Sequence, residues 1–167
     1  MPAWSPVIAN ELIKLAAADG KAYDQMHLQE LVYIAHGWCL ATTGEPLTGD
    51  RPEALEYGPE YRRLADVLAR WGIDPVTSEI GVGQNFDRST TDATSGAECE
   101  LCPWERELLV RIYAEYGDLK TLKLATITRA EGRPWEHVFA GGIGKRRDIS
   151  HKLIRAQFAE IAAKFGR

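Results

Sequence analysis

The stretch from Asp24 to Gly44 constrains the fold more than any other part of this chain, because it reads as a helix with two usable faces. Leu28, Leu31, Val32, Ala35, Trp38 and Cys39 fall on one side at about 100° per residue, with Asp24 placed as an N-cap and Gly44 as the stop. Gln29, Tyr33, His36 and Leu40 form a second stripe well away from the first. A surface helix needs only one buried face, so a helix with two stripes is central: packed on one side, and either packed or engaged with a partner on the other.

Further helices surround it in the sequence. Ser5 reads as an N-cap with Pro6 at the first helical position, and Ile8, Leu12 and Leu15 recur until Gly20. After the breakers Pro46, Gly49 and Pro52, the segment Glu53-Ala54-Leu55-Glu56-Tyr57 suits a short strand or extended run. Gly58 is pushed out of the α region by Pro59, which is suited to start a third helix from Glu60 to Trp71. Residues 74–102 read as a flexible polar excursion rich in Gly, Ser, Thr and Asp, with room for a short strand near Val76–Val82. Pro103 opens a fourth helix, Asp118 is placed to cap a fifth, Pro134 starts a short one, and Asp148 or Ser150 caps the last. The expected fold is mainly α: a compact single-domain bundle over residues 1–167, of about six helices with a short β or extended segment and one long polar loop.

Composition excludes several classes of function. A chain of 167 residues that is 45% hydrophobic can build one core, burying about 70% of its unfolded surface, and is too apolar to be disordered throughout. No apolar run approaches the ~20 residues of a membrane span, and Met1-Pro2-Ala3-Trp4 lacks a signal-peptide pattern, so a cytoplasmic protein without a membrane partner is expected. A formal charge of -4 argues against a broad nucleic-acid surface, which draws its affinity from many Lys and Arg. Three cysteines, Cys39, Cys99 and Cys102, cannot all pair with one another and suit a reducing compartment.

Each conspicuous residue has a plain structural reading beside a chemical one. His27 and His36 stand about 180° apart on a helix and cannot share an ion; His36 with Tyr33 and Gln29 makes either a packed polar cluster, a partner contact or a general base without a visible nucleophile. Cys99-x-x-Cys102 has half a zinc-knuckle spacing, but His137 and His151 do not complete it, so no metal and no cofactor is expected. Gly141-Gly142-Ile143-Gly144-Lys145-Arg146-Arg147 lacks phosphate-loop spacing and reads as a solvated loop. Tyr57-Gly58-Pro59 and Pro134-Trp135 place aromatics at chain bends, where they serve equally well as core anchors or as contact surface.

Four segments together resemble the Panacea-domain family, also known as the SocA-like antitoxins and found in phage-associated proteins. They are Ala9-Asn10-Glu11-Leu12-Ile13; Leu28-Gln29-Glu30-Leu31-Val32-Tyr33-Ile34-Ala35-His36-Gly37-Trp38; Glu56-Tyr57-Gly58-Pro59; and Thr126-Ile127-Thr128-Arg129-Ala130-Glu131-Gly132-Arg133-Pro134-Trp135. The family pattern usually has a His where this chain has Arg129. The resemblance implies a bacterial or prophage protein that neutralises a cognate toxin protein by binding it, with one branch handing its toxin to a cytosolic protease. The expectation is therefore a non-enzymatic antitoxin or adaptor that presents Gln29, Tyr33, His36, Tyr57, Gly58, Pro59 and Trp135 to its partner. Two alternatives stand beside it: a phage accessory protein that inhibits a host defence complex by protein binding, and a small hydrolase using His36 with Tyr33, Glu56 or the Cys99/Cys102 pair.

Overall fold

A computed structural model describes residues 2–80 and 101–166. Among them the chain forms seven α-helices and one two-stranded antiparallel hairpin, a mainly α architecture. The second helix, α2 (Gln25–Thr43), is its axis, with every side chain from Leu28 to Leu40 buried. Asp24 caps it by accepting from the His27 N–H at 2.8 Å, and Gly44 ends it in the left-handed conformation.

The first helix, α1 (Ser5–Ala18), is capped differently from the sequence expectation. Trp4 occupies the N-cap position, and the capping acceptor comes from Asp50, which takes the Ser5 N–H at 2.8 Å and the Ser5 hydroxyl at 2.5 Å. A carboxylate at this end also meets the positive pole of the helix dipole. The last helix, α7 (His151–Lys164), begins where Ser150 accepts from the Leu153 N–H and lies against α2 along its length. That approach depends on Gly37, because a Cβ there would come within 2.2 Å of the Phe158 ring. Phe158 fills the space instead and meets Trp38 edge-on at 5.7 Å.

After α2 the chain forms β1 (Glu53–Leu55) and β2 (Gly58–Glu60), with Ala54 opposite Pro59. The expected helix start at Pro59 moves to α3 (Arg62–Leu68), because Pro59 completes the hairpin in the extended conformation its own ring and Gly58 favour. The far edge of β1 is covered too: Ala54 receives the Arg146 N–H at 2.8 Å and donates to the Arg147 carbonyl at 2.9 Å. The turn that follows the glycines is thereby pinned to β1, with an isolated bridge between Glu53 and Asp148.

The described ends of the expected polar excursion are tied down. Val76 donates to the Tyr23 carbonyl in an isolated bridge, and the Asn10 amide brackets the Ile80 backbone at 2.7 and 2.8 Å. The strand expected near Val76–Val82 is reduced to that bridge within the described residues. The remainder of the excursion, with Cys99, lies outside them. Helix α4 (Pro103–Tyr116) starts with Glu105 accepting from the Cys102 N–H, and α5 (Thr121–Thr128) follows. Asp118 does not cap α5; it binds the Lys21 ammonium, and Lys120 holds the N-cap position. The short α6 (Pro134–Phe139) completes the set. Among the described residues no helix is long and apolar enough to cross a membrane.

Candidate functional site

The polar stripe of α2 does not reach the surface. Gln29 is 7% exposed, and its side-chain amide pairs with the Tyr61 backbone in both directions, accepting from the N–H at 2.8 Å and donating to the carbonyl at 3.1 Å. Tyr33 is fully buried and donates to Gln157 Oε1 at 3.2 Å, while Gln157 in turn donates to the Ile127 carbonyl. Of the two roles the sequence left open for this stripe, its geometry is that of packing: Gln29, Tyr33 and His36 are spent on holding α3, α5, α7 and the 47–50 segment against α2. The expectation that these three side chains sit at one surface is corrected on that ground.

His36 is the most constrained of them. It is 0% exposed, and the Thr48 N–H donates to its Nδ1 at 3.2 Å, which leaves the proton of the neutral ring on Nε2. Burial first, and His151 second at 4.9 Å between ring centres, push its pKa down to about 3. The Nε2 atoms of His36 and His151 are both buried and have no hydrogen-bond partner among the described residues. His27 is also spent on structure, with Nδ1 3.3 Å from the Thr121 hydroxyl. Cys102 is exposed at the start of α4.

The accessible part of the motif lies at the hairpin. Tyr57 is 69% exposed at its turn, whereas Gly58 and Pro59 beneath are buried. Gly58 has φ of +129°, a conformation closed to ordinary side chains, and a Cβ there would also crowd Glu30 Oε1 at 3.3 Å and the Arg129 side chain at 3.4 Å. Trp135 is half-buried, stacks on Phe139, and donates its indole N–H to the Leu55 carbonyl at 2.7 Å, fixing α6 to the back of the hairpin.

Between the hairpin, the first turns of α2 and the loop carrying Lys145 opens a cavity of about 380 Å³. Gln25, Met26, Gln29 and Glu30 form one wall, residues 55–60 another, and Ala65, Lys145 and Arg146 close it. Glu30 was not singled out by sequence reasoning. Its side chain is only 2% exposed, its Oε2 accepts the Thr128 hydroxyl at 2.7 Å, and burial raises its pKa to about 7 against the opposing pull of Thr128 and Arg129. Burial, then Glu53, also raises Glu60. Lys145 pairs with Glu56 at 3.1 Å across the rim. The signal available in the sequence was Glu30 itself, a carboxylate one residue before Leu31 in an otherwise apolar face.

The chain matches the family model described as "Antitoxin SocA-like, Panacea domain" over residues 28–136, well over half its length. It is 28% identical over 160 residues to "Antitoxin SocA" of Caulobacter vibrioides, covering 90% of this chain and 80% of that one. No solved structure matches. The matched span begins inside α2 and ends in α6, so it contains the whole hairpin and most of the cavity wall.

Proposed function

The chain belongs to the SocA-like antitoxin, Panacea-domain family, and from that premise we propose that it is a non-catalytic antitoxin or adaptor that binds a cognate toxin protein and neutralises it by direct contact. The observation that carries this reading is the family match itself, because it takes in most of α2 and the whole hairpin that α2 supports. In this reading residues 1–167 act as one domain in the cytoplasm of a bacterium or prophage host. Tyr57 and the half-buried Trp135 contact or border the partner, while Gly58 and Pro59 shape the hairpin, Gln29 braces it through Tyr61, and Tyr33 and His36 act by holding α7 and the 47–50 segment against α2. A Tyr at the tip of a rigid turn supplies contact area that loses little rotamer freedom on binding. Handing the bound toxin to a cytosolic protease is the adaptor form of the same function.

The geometry of His36 weighs against the hydrolase alternative on chemical grounds. A general base needs a pKa near the working pH and reach to a substrate proton, and His36 is fully buried with a pKa pushed down to about 3 and its Nδ1 lone pair taken by Thr48. The test is co-expression with the protein encoded beside this one. Rescue of growth and recovery of a stoichiometric complex are expected; no rescue together with no complex would overturn the proposal.

A further inference from the structure

We infer that the cleft between α5 and α7, floored by Trp38 of α2, is a second docking surface that takes an amphipathic helix of a partner protein, with an apolar side chain entering the cleft and a neighbouring carboxylate meeting Arg133. The inference is independent of the hairpin and of the toxin-binding reading. Trp38 and the Met26 of the hairpin cavity stand about 18 Å apart along the axis of α2, at about 1.5 Å per residue.

Two helices laid on a third leave this cleft. Both α5 and α7 pack on α2, and Gln157 ties them to each other by donating to the Ile127 carbonyl at 2.8 Å. Beside that tie opens a cavity of about 490 Å³ lined by Trp38, Tyr116, Ile127, Ile161 and Phe165, with Arg133 at its edge. Its size and its aromatic and aliphatic lining are those of a pocket that buries an apolar group. The floor asks nothing polar of an occupant, because the Trp38 indole N–H is already given to the Tyr116 hydroxyl at 2.9 Å.

The walls carry apolar surface out to solvent. Phe165 follows Ile161 by one turn at the end of α7 and is 73% exposed; Leu122 precedes Thr126 of the cleft wall by one turn on α5 and is 78% exposed. Residues four apart share a helix face, so the apolar lining continues along both helices beyond the cleft itself. One exposed apolar side chain needs no explanation, but two that flank the same apolar cleft mark a contact surface. A groove between two helices suits a third, whose own apolar side chains recur one turn apart.

Arg133 supplies the sign of the partner's charge. Its side chain makes no hydrogen bond among the described residues, and its Nη1 lies 3.7 Å from Glu160, beyond hydrogen-bond reach. Lys164 holds the same carboxylate at 3.0 Å and is the larger cause of its lowered pKa. Glu115, the acid on the cleft wall, already has a partner of its own. Lys123, one turn before Ile127, is exposed and forms no ion pair among the described residues. A carboxylate brought to Arg133 therefore makes the charge-assisted hydrogen bonds that Glu160 does not, and the partner helix is acidic beside its apolar anchor.

The test is a titration of the full chain, followed by amide NMR, with capped alanine-based helical peptides: one carrying Leu at positions a turn apart with Glu beside them, one with Lys in place of that Glu, and one with Ser in place of the Leu. Decanoate serves as the small-molecule probe. The acidic Leu peptide is expected to shift Ile127, Ile161 and Phe165 together, with the Lys peptide at least about tenfold weaker, the loss of a charge-assisted hydrogen bond. Arg133→Gln is expected to bring the acidic peptide down to the affinity of the basic one. Phe165→Ser, at an exposed position, is expected to weaken both while the rest of the spectrum stays in place. Equal affinity across the peptides, shifts scattered away from the cleft, unchanged affinity in both variants, decanoate filling the cleft while no peptide does, or shifts that follow the concentration of the chain itself, the mark of self-association, would overturn the inference.

Discussion

The interior face of α2 and the mouth of the hairpin cavity are built from the same two motif segments, yet they treat polar groups in opposite ways. On the interior face each polar side chain is matched to a partner from a distant part of the chain: Gln29 to the Tyr61 backbone, Tyr33 to Gln157 and His36 to Thr48. At the mouth, Glu30 gives one oxygen to Thr128 beside Arg129, and Tyr57 is exposed. The difference teaches that a polar residue within a helical motif is a poor guide to a binding surface unless its partners are known. Buried polar groups tied to distant backbone specify a fold, even where one atom such as His36 Nε2 is left without a partner among the described residues, whereas an exposed side chain such as Tyr57 is free to meet another molecule.

The sharpest break between the two regions is in their response to acid and base. His36 has its pKa lowered from 6.5 to about 3, so its contribution is complete above about pH 6.5 and is lost as pH falls toward 3, a loss of about 5 kcal/mol at most. Denaturant midpoints over this window are expected to fall more steeply for the native chain than for His36→Gln. Glu30 has the reverse sign. Its pKa is raised from 4.5 to about 7, so its contribution is complete below about pH 4.5 and disappears as pH rises through 7, amounting to about 3 kcal/mol. Glu30→Gln should therefore gain stability relative to the native chain between pH 4.5 and pH 8, measured by the same unfolding curves.

Smaller effects sharpen the contrast. Gln29→Ala strands the buried backbone N–H of Tyr61, whose carbonyl keeps the Ala65 N–H, and a loss of about 2 kcal/mol is expected by chemical denaturation, with the hairpin loosening as its support goes. Tyr57→Ala removes a side chain that is 69% exposed, and its effect on stability should stay within about 0.5 kcal/mol in thermal unfolding. Equal destabilisation by both substitutions would erase the distinction between a packed stripe and a presented tip.

Much of the fold is legible because its determinants are local. Asp24 and Gly44 bound α2, Pro103 and Pro134 open α4 and α6, and Ser150 caps α7, each by rules that operate within a turn of the chain. What escaped is long-range. The cap of α1 comes from Asp50, 45 residues away, and Asp118 is drawn off to Lys21. Pro59 joins a strand because a partner strand is available to it. The cavity was hidden for the same reason: Glu30 meets Thr128 across 98 residues, and Lys145 arrives only because its loop pairs with Ala54. Periodicity identified two faces on α2, but it carries no information about whether a Gln or His on the second face meets water or a distant backbone.

The central claim is that the hairpin mouth, and not the α2 stripe, meets the partner. Isothermal titration of the co-purified toxin against native chain and Tyr57→Ala tests it most directly. Loss of about 2 kcal/mol of binding free energy, about thirtyfold in affinity, is expected with an unchanged melting temperature. Native affinity in Tyr57→Ala would contradict the account.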